Sequence, residues 1–410
     1  MFIFKKIASF FQRQPKKILA DSGLIYILNE KEKTAILERD KTAVGDIVIP
    51  RSIIYNSEEF IITEILENSF NGSINIDSIS FQENSEITKI GEGAFFHSSI
   101  HSISLPLKLI EIPSFLISCC FNLQSVEIPE NSELRIIDKN AFCKCTITSL
   151  FIPSKAELQP GWCYETRNLN KITISPLNHR YSEYKGQFIL GKTDENSDSF
   201  DTLFFANRNI QFAQIPSFIN KISVCAFDYC QKLNQIEFSS SSEMIIEENA
   251  FSNSSLPSIS IPPFVTLIGK SAFFACKKLR KVNFEGQSKL NAINDFAFAY
   301  SNIESIFVPS SVITIGKSAF ECCLCIQKVE FCEDSNLELI DNDAFYQTPI
   351  TSIIIPPRVK EIGFEAFSKC DKLQIIEISE SSQLGSFKAS LSCSFQVVIV
   401  APRNVNIIFS

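Results

Sequence analysis

Apolar residues recur along this chain in two interleaved patterns. The first is a short alternation closed by proline, as in Ile259-Ser260-Ile261-Pro262, Ile306-Phe307-Val308-Pro309 and Ile353-Ile354-Ile355-Pro356. A period of two predicts a strand whose outer residues face inward and whose middle residue faces out. Proline then ends the strand where no ladder donor is needed. The second pattern is an aliphatic residue leading into Ile-Gly-x-x-Ala-Phe, as in Leu267 to Phe273 and Ile313 to Phe320, and it places Ile268, Ala272 and Phe273 in the core.

The second pattern returns at Phe70, Phe95, Ile117, Phe142, Cys163, Phe227, Phe251, Phe273, Phe298, Phe320, Phe345, Phe367 and, most degenerate, Ser392. From Phe251 onward the steps alternate between 22 and 25 residues. The longer repeats exchange the proline turn for a serine-rich one, as at Asn131-Ser132-Glu133-Leu134 and Asp334-Ser335-Asn336-Leu337. A fixed period of this size predicts stacked repeats, each burying its apolar face against its neighbours. Phe95, Phe142, Phe227, Phe251, Phe273, Phe298, Phe320, Phe345 and Phe367 are expected to form the structural ladder of that core.

The flanks divide the rest. Residues 1–21 read as a basic amphipathic helix or cap, with Lys5, Lys6, Arg13, Lys16 and Lys17 set against Ile3, Ile7 and Phe10 or Phe11. Covering the open end of the array is favoured over lying on an anionic membrane surface, because repeat arrays need capped ends. Lys5 and Lys6 interrupt any secretory-type apolar run. Residues 22–65 read as a β-hairpin cap, 66–180 as a first block of repeats, and 181–214 as an inserted hairpin. Residues 215–410 read as a second block with a degenerate C-terminal cap.

With these motifs in place the chain resembles the BspA-like leucine-rich repeat family over about residues 22 to 400. Leu256 to Cys276 and Ile303 to Cys323 follow its pattern, Leu-x-x-Ile-x-Ile-Pro-x-x-Val-x-x-Ile-Gly-x-x-Ala-Phe-x-x-Cys. The opening GLIYILNEKEKTAIL, the segment IVIPRSI and the hairpin YSEYKGQFILGK resemble the family as well. The expected fold class is therefore a curved, β-rich leucine-rich repeat solenoid with one short parallel strand per repeat, a helical or hairpin N-terminal cap and one inserted hairpin. The resemblance implies no enzymatic activity, and roles as surface antigens or adhesins of bacteria and parasitic protists. It carries over no fixed set of functional residues.

Composition narrows the chemistry. The net charge is −8 with no basic block inside the repeats, which argues against nucleic acid as partner. The longest apolar runs, such as Val397 to Ala401, are too short to span a bilayer. With no transmembrane segment and no signal peptide the chain reads as cytoplasmic by sequence, and as a cell-surface protein by resemblance.

Six of the 14 cysteines (Cys120, Cys145, Cys230, Cys276, Cys323 and Cys370) sit three residues after an anchor, where other repeats carry Ser or Thr. That slot reads as a small buried position. The alternative is a thiolate metal site from Cys143 with Cys145, or from Cys322, Cys323, Cys325 and Cys332, but paired Cys-x-x-Cys spacing is missing. No metal or cofactor is expected. The chain holds three histidines and none of the common nucleophile, phosphate-cradling or zinc-protease motifs, so an enzyme with an unrecognised site is a remote alternative.

Binding of a protein ligand is the expectation. The outward strand position reads Phe151, then Asn283, Phe307, Glu330, Ile354 and Glu377, and apolar anchors among polar neighbours suit a docking surface. An intracellular interaction scaffold is the alternative to a surface antigen or adhesin.

Overall fold

The computed structural model describes residues 16–40, 42–194, 196–239, 242–389, 397–403 and 405–409. The chain forms two compact units, Met1–His179 and Arg180–Ser410. Both are β-solenoids built from short parallel strands, and no helix occurs among the described residues.

In the first unit, strands β1 (Lys16–Leu19), β2 (Leu24–Asn29), β3 (Thr34–Asp40), β5 (Ser52–Tyr55) and β6 (Glu58–Ile65) form one sheet in the order β1-β2-β3-β6-β5. The strand Lys89–Ile90 joins it at β6, handing the cap over to the repeats. Strand β4 (Gly45–Ile49) instead starts a parallel sheet with Ile76–Phe81, Ser102–Ser104 and Ser125–Glu127.

The N-terminal cap is thus a sheet, where residues 1–21 were expected as a helix or cap and 22–65 as a β-hairpin. Its helical candidates Ile3, Ile7, Phe10 and Phe11 lie outside the described residues, as does the anchor Ser392. Lys16–Leu19 is extended and pairs antiparallel with β2, Lys16 opposite Leu28. The open edge of β2 supplies backbone partners that a four-residue stretch cannot provide for itself. Lys16 reaches Glu30 at 2.9 Å and Lys17 pairs with Glu38, so the outermost strand is a charged edge that resists further pairing.

In the second unit the inserted segment carries three antiparallel strands, Ser182–Tyr184, Phe188–Gly191 and Thr202–Ala206. The last of these pairs parallel with Lys221–Ile222, and the ladder then runs through Met244–Ile246, Val265–Ile268, Ala292–Ile293, Thr314–Ile315 and Leu339–Ile340 to Glu361–Ile362. The proline-ended strands form the other wall, including the sheet of Ser258–Ile261, Lys281–Phe284, Ser305–Val308 and Lys328–Phe331. A further sheet holds Ser352–Ile355, Ile375–Ile378 and Val398–Val400.

Between the walls, each Ala-Phe segment is a pair of tight turns with left-handed residues two before and two after the anchor, such as Asn249 and Asn253 or Ser271 and Ala275. The anchor amide leaves its own turn and bonds the next one. Phe251 N–H donates to Ala272 (2.8 Å), Phe273 to Ala297 (2.7 Å) and Phe298 to Ala319 (2.8 Å).

Two recurrent residues have steric or hydrogen-bonding reasons. A Cβ on Gly316 would stand 2.7 Å from the Asp295 backbone nitrogen, and one on Gly363 would stand 2.3 Å from that of Asn342, so the Ile-Gly step marks a close backbone approach. In the serine-rich turns the hydroxyl accepts the amide two residues on, Leu134 to Ser132 and Leu337 to Ser335, which closes the turn without proline.

Candidate protein-binding surface

Each predicted outward residue can be followed onto its strand. In the first unit Phe151 lies in Ser149–Ile152, opposite Thr173, and is half-buried. In the second unit Asn283 lies opposite Ser260, and the register of Lys281 with Ser305 aligns Asn283 with Phe307. Phe307 faces Glu330 across the next pair, and Ile354 faces Glu377. The period-two alternation dictates this result. Ile306 and Val308 turn inward beside Phe307, and Ile353 and Ile355 turn inward beside Ile354.

The register extends this column with residues that the sequence reading missed. Val400 lies opposite Glu377, and Ile375 lies between Ser352 and Val398. Phe307 is 51% exposed, Ile354 61%, Ile375 43%, Val398 56% and Val400 52%, so the apolar side chains stand in solvent. On Ser352–Ile355, Ile375–Ile378 and Val398–Val400 the outward positions are Ser352, Ile354, Ile375, Glu377, Val398 and Val400, mostly apolar. The preceding sheet shows Ser258, Ser260, Lys281, Asn283, Ser305, Phe307, Lys328 and Glu330 in the same places, with one apolar member. The available signal was Ile375, which stands where other repeats carry Lys281, Ser305, Lys328 and Ser352.

The cysteine slot has a more specific chemistry than small size. Cys276 Sγ donates to the Phe251 carbonyl at 3.1 Å, Cys323 to Phe298 at 3.1 Å and Cys370 to Phe345 at 3.1 Å. The hydroxyls in the same slot also donate to an anchor carbonyl, Ser98 to Phe95 and Thr348 to Phe345 within their own turns at 2.8 Å, and Thr166 to Phe142 of the turn before at 2.7 Å. The slot takes a small hydrogen-bond donor, which Cys, Ser and Thr share and Ala lacks. Burial pushes the Cys120 and Cys230 thiols up to about 11 and those of Cys276 and Cys323 up to about 12. These thiols are protonated donors at neutral pH, and thiolate chemistry does not belong to them. Among the described residues no group of three or more His, Cys, Asp or Glu side chains could hold a metal ion.

A β-solenoid of short parallel strands, with one Ala-Phe turn per repeat and a solvent-facing strand wall, defines a leucine-rich repeat protein of the helix-free kind. Residues 51–184, 198–327 and 291–409 match the BspA type leucine rich repeat region in six copies, and the chain belongs to that family.

Solved structures share the fold. A leucine-rich repeat protein from Eubacterium ventriosum is 19% identical with a TM-score of 0.63, covering 92% of this chain and 98% of that one. The pneumococcal vaccine antigen PcpA is 16% identical with a TM-score of 0.62, covering 97% of this chain and 99% of that one. A leucine-rich repeat protein from Bacteroides ovatus is 21% identical with a TM-score of 0.51, covering 96% of this chain and 90% of that one. No curated protein matches the chain. Among the described residues no helix is long and apolar enough to cross a membrane.

Proposed function

We propose that this protein is a non-catalytic recognition protein, of surface-antigen or adhesin type, that binds a protein ligand on the outward strand face of its second unit. The observation that carries the reading is the in-register group Ile354, Ile375, Val398 and Val400, continued by Phe307 and rimmed by Glu330 and Glu377. Apolar anchors ringed by polar side chains are the composition of a protein-docking centre, where a few desolvated residues supply most of the affinity. Hydrocarbon flanked by carboxylates is a lining that suits recognition. Membership of the BspA type family and the vaccine-antigen relative of the same fold support display to other molecules.

Two experiments test this. Membrane-impermeant labelling of intact source cells is expected to reach the chain; protection until lysis would make it an intracellular scaffold instead. Surface extract passed over the immobilised protein is expected to yield a ligand that the Phe307→Glu, Ile354→Glu double variant no longer retains. Equal retention by a folded double variant would remove this face as the binding site.

A further inference from the structure

In the first unit three successive turns enclose an open depression of about 380 Å³, lined by Glu67, Asn68, Asn71, Glu92, Gly93, Phe96 and Phe115. Its origin is legible in the repeat. The left-handed position two residues before the anchor is Asn68, Gly93, Phe115, Asn140 and Gly161 in consecutive turns. Asn and Gly are the residues that tolerate this conformation. Gly93 leaves the middle turn without a side chain, and a Cβ there would come within 3.0 Å of Asn68 Oδ1. Phe115, at φ 58°, interrupts that Asn/Gly run in the first unit, as Phe296 at φ 55° holds the same position in a turn of the second. A bulky ring in the left-handed region is strained, and this one is half-buried at the edge of the depression.

The lining is chemically one-sided. Glu67 and Glu92 are exposed carboxylates, the Asn71 amide donates to Asn68 Oδ1 at 3.0 Å, and Phe96 and Phe115 supply two rings. No basic side chain lines the depression. Two carboxylates with two aromatic rings recognise an organic cation, and a planar guanidinium satisfies both, bonding the carboxylates while lying against a ring.

We propose that this depression receives an arginine side chain of a partner protein, as a binding point separate from the strand face of the second unit. The full-length chain is titrated with N-acetyl-arginine amide, with saturation-transfer NMR as the readout. The neutral isostere N-acetyl-citrulline amide, N-acetyl-lysine amide and a panel of methyl glycosides serve as comparison probes. The arginine probe is expected to bind about ten-fold better than citrulline, and Glu67→Gln with Glu92→Gln is expected to remove that margin. Phe115→Asn separates function from folding: it relieves the left-handed ring, so thermal stability holds or rises while arginine binding weakens several-fold. Gly93→Asn, which tolerates the same backbone, is expected to fill the floor and weaken binding as well. Binding no better than citrulline, unchanged binding by the double glutamine variant, or preference for lysine or a glycoside overturns the proposal.

Discussion

The aromatic columns of the two units start from one repeat and end differently. In the second unit Phe227, Phe251, Phe273, Phe298, Phe320, Phe345 and Phe367 stack in sequence, their ring centroids 4.8 to 5.7 Å apart and their planes within 10° of parallel. Among the described anchors of the first unit Phe70 and Phe95 stack, at 5.2 Å and 26°. The next anchor is Ile117, and Phe142 then meets Trp162 edge-on at 90°. At that turn the two core positions have exchanged volume. The alanine slot holds Trp162 and the phenylalanine slot holds Cys163, and both are buried. The stack is therefore a product of having the same side chain at each successive anchor. The fold itself needs only the buried volume, which can be redistributed between neighbouring positions.

The largest expected effect comes from breaking the ordered column. Phe273 lies between two parallel rings, and Phe273→Ala is expected to cost about 3–5 kcal/mol through the cavity it leaves, read by chemical unfolding. Phe95→Ala, with one stacked neighbour, is expected to cost less by about 0.5–1.5 kcal/mol. Equal losses would mean that stacking adds nothing to burial.

Exchanging volume back in the first unit sharpens the contrast. Trp162→Ala alone is expected to cost about 3–5 kcal/mol, whereas Trp162→Ala with Cys163→Phe is expected to stay within about 1.5 kcal/mol of the parent. A double variant no better than the single one would show that this turn has fixed its own geometry around tryptophan.

The donor slot gives a smaller effect with a pH signature. Cys323→Val is expected to lose about 0.5–1.5 kcal/mol with its hydrogen bond, and Cys323→Ser to lose less. An unfolded thiol ionises near about 8.5, while burial holds Cys276 and Cys323 protonated up to about 12. The folded state keeps the proton more tightly, so this contribution is complete below the unfolded value and fades as pH rises from there through the folded value. Melting temperature is therefore expected to fall more steeply above about pH 9 for the parent than for the Cys276→Val, Cys323→Val double variant. Parallel curves would exclude the thiols as its cause.

Smallest of all is the strand face. Phe307→Glu with Ile354→Glu is expected to shift stability by no more than about 0.5 kcal/mol per site, because both side chains already stand in solvent. A larger loss in a melting experiment would mean that something covers them.

Much of this was legible in the chain, for definite reasons. The 22- and 25-residue steps locate the Phe251 to Phe367 anchors, all of them buried. Alternation placed Phe307 and Ile354 outward. The sheet at Lys16–Leu19 was not legible, because KKIL carries no period of its own and the edge of β2 decides its conformation. Arg208 was equally hidden. Its guanidinium is buried and donates to the carbonyls of Ala206, Cys225 and Ala226, fixing the end of the inserted segment. An isolated arginine in a polar stretch gives no sign of that.

The sequence by itself determined the repeat, its inward and outward positions and the family, since each follows from spacing along one chain and the local preference for strand or turn. Tertiary structure alone decided which residues from different turns meet. Stacking brings Ile375 beside Val398 and Gly93 beneath Phe115's turn, and it gives Cys276, Cys323 and Cys370 a carbonyl from the turn before. These are contacts across separations of more than twenty residues. They are set by inter-turn hydrogen-bond register and by the close backbone approach at Ile-Gly, quantities that no single repeat contains.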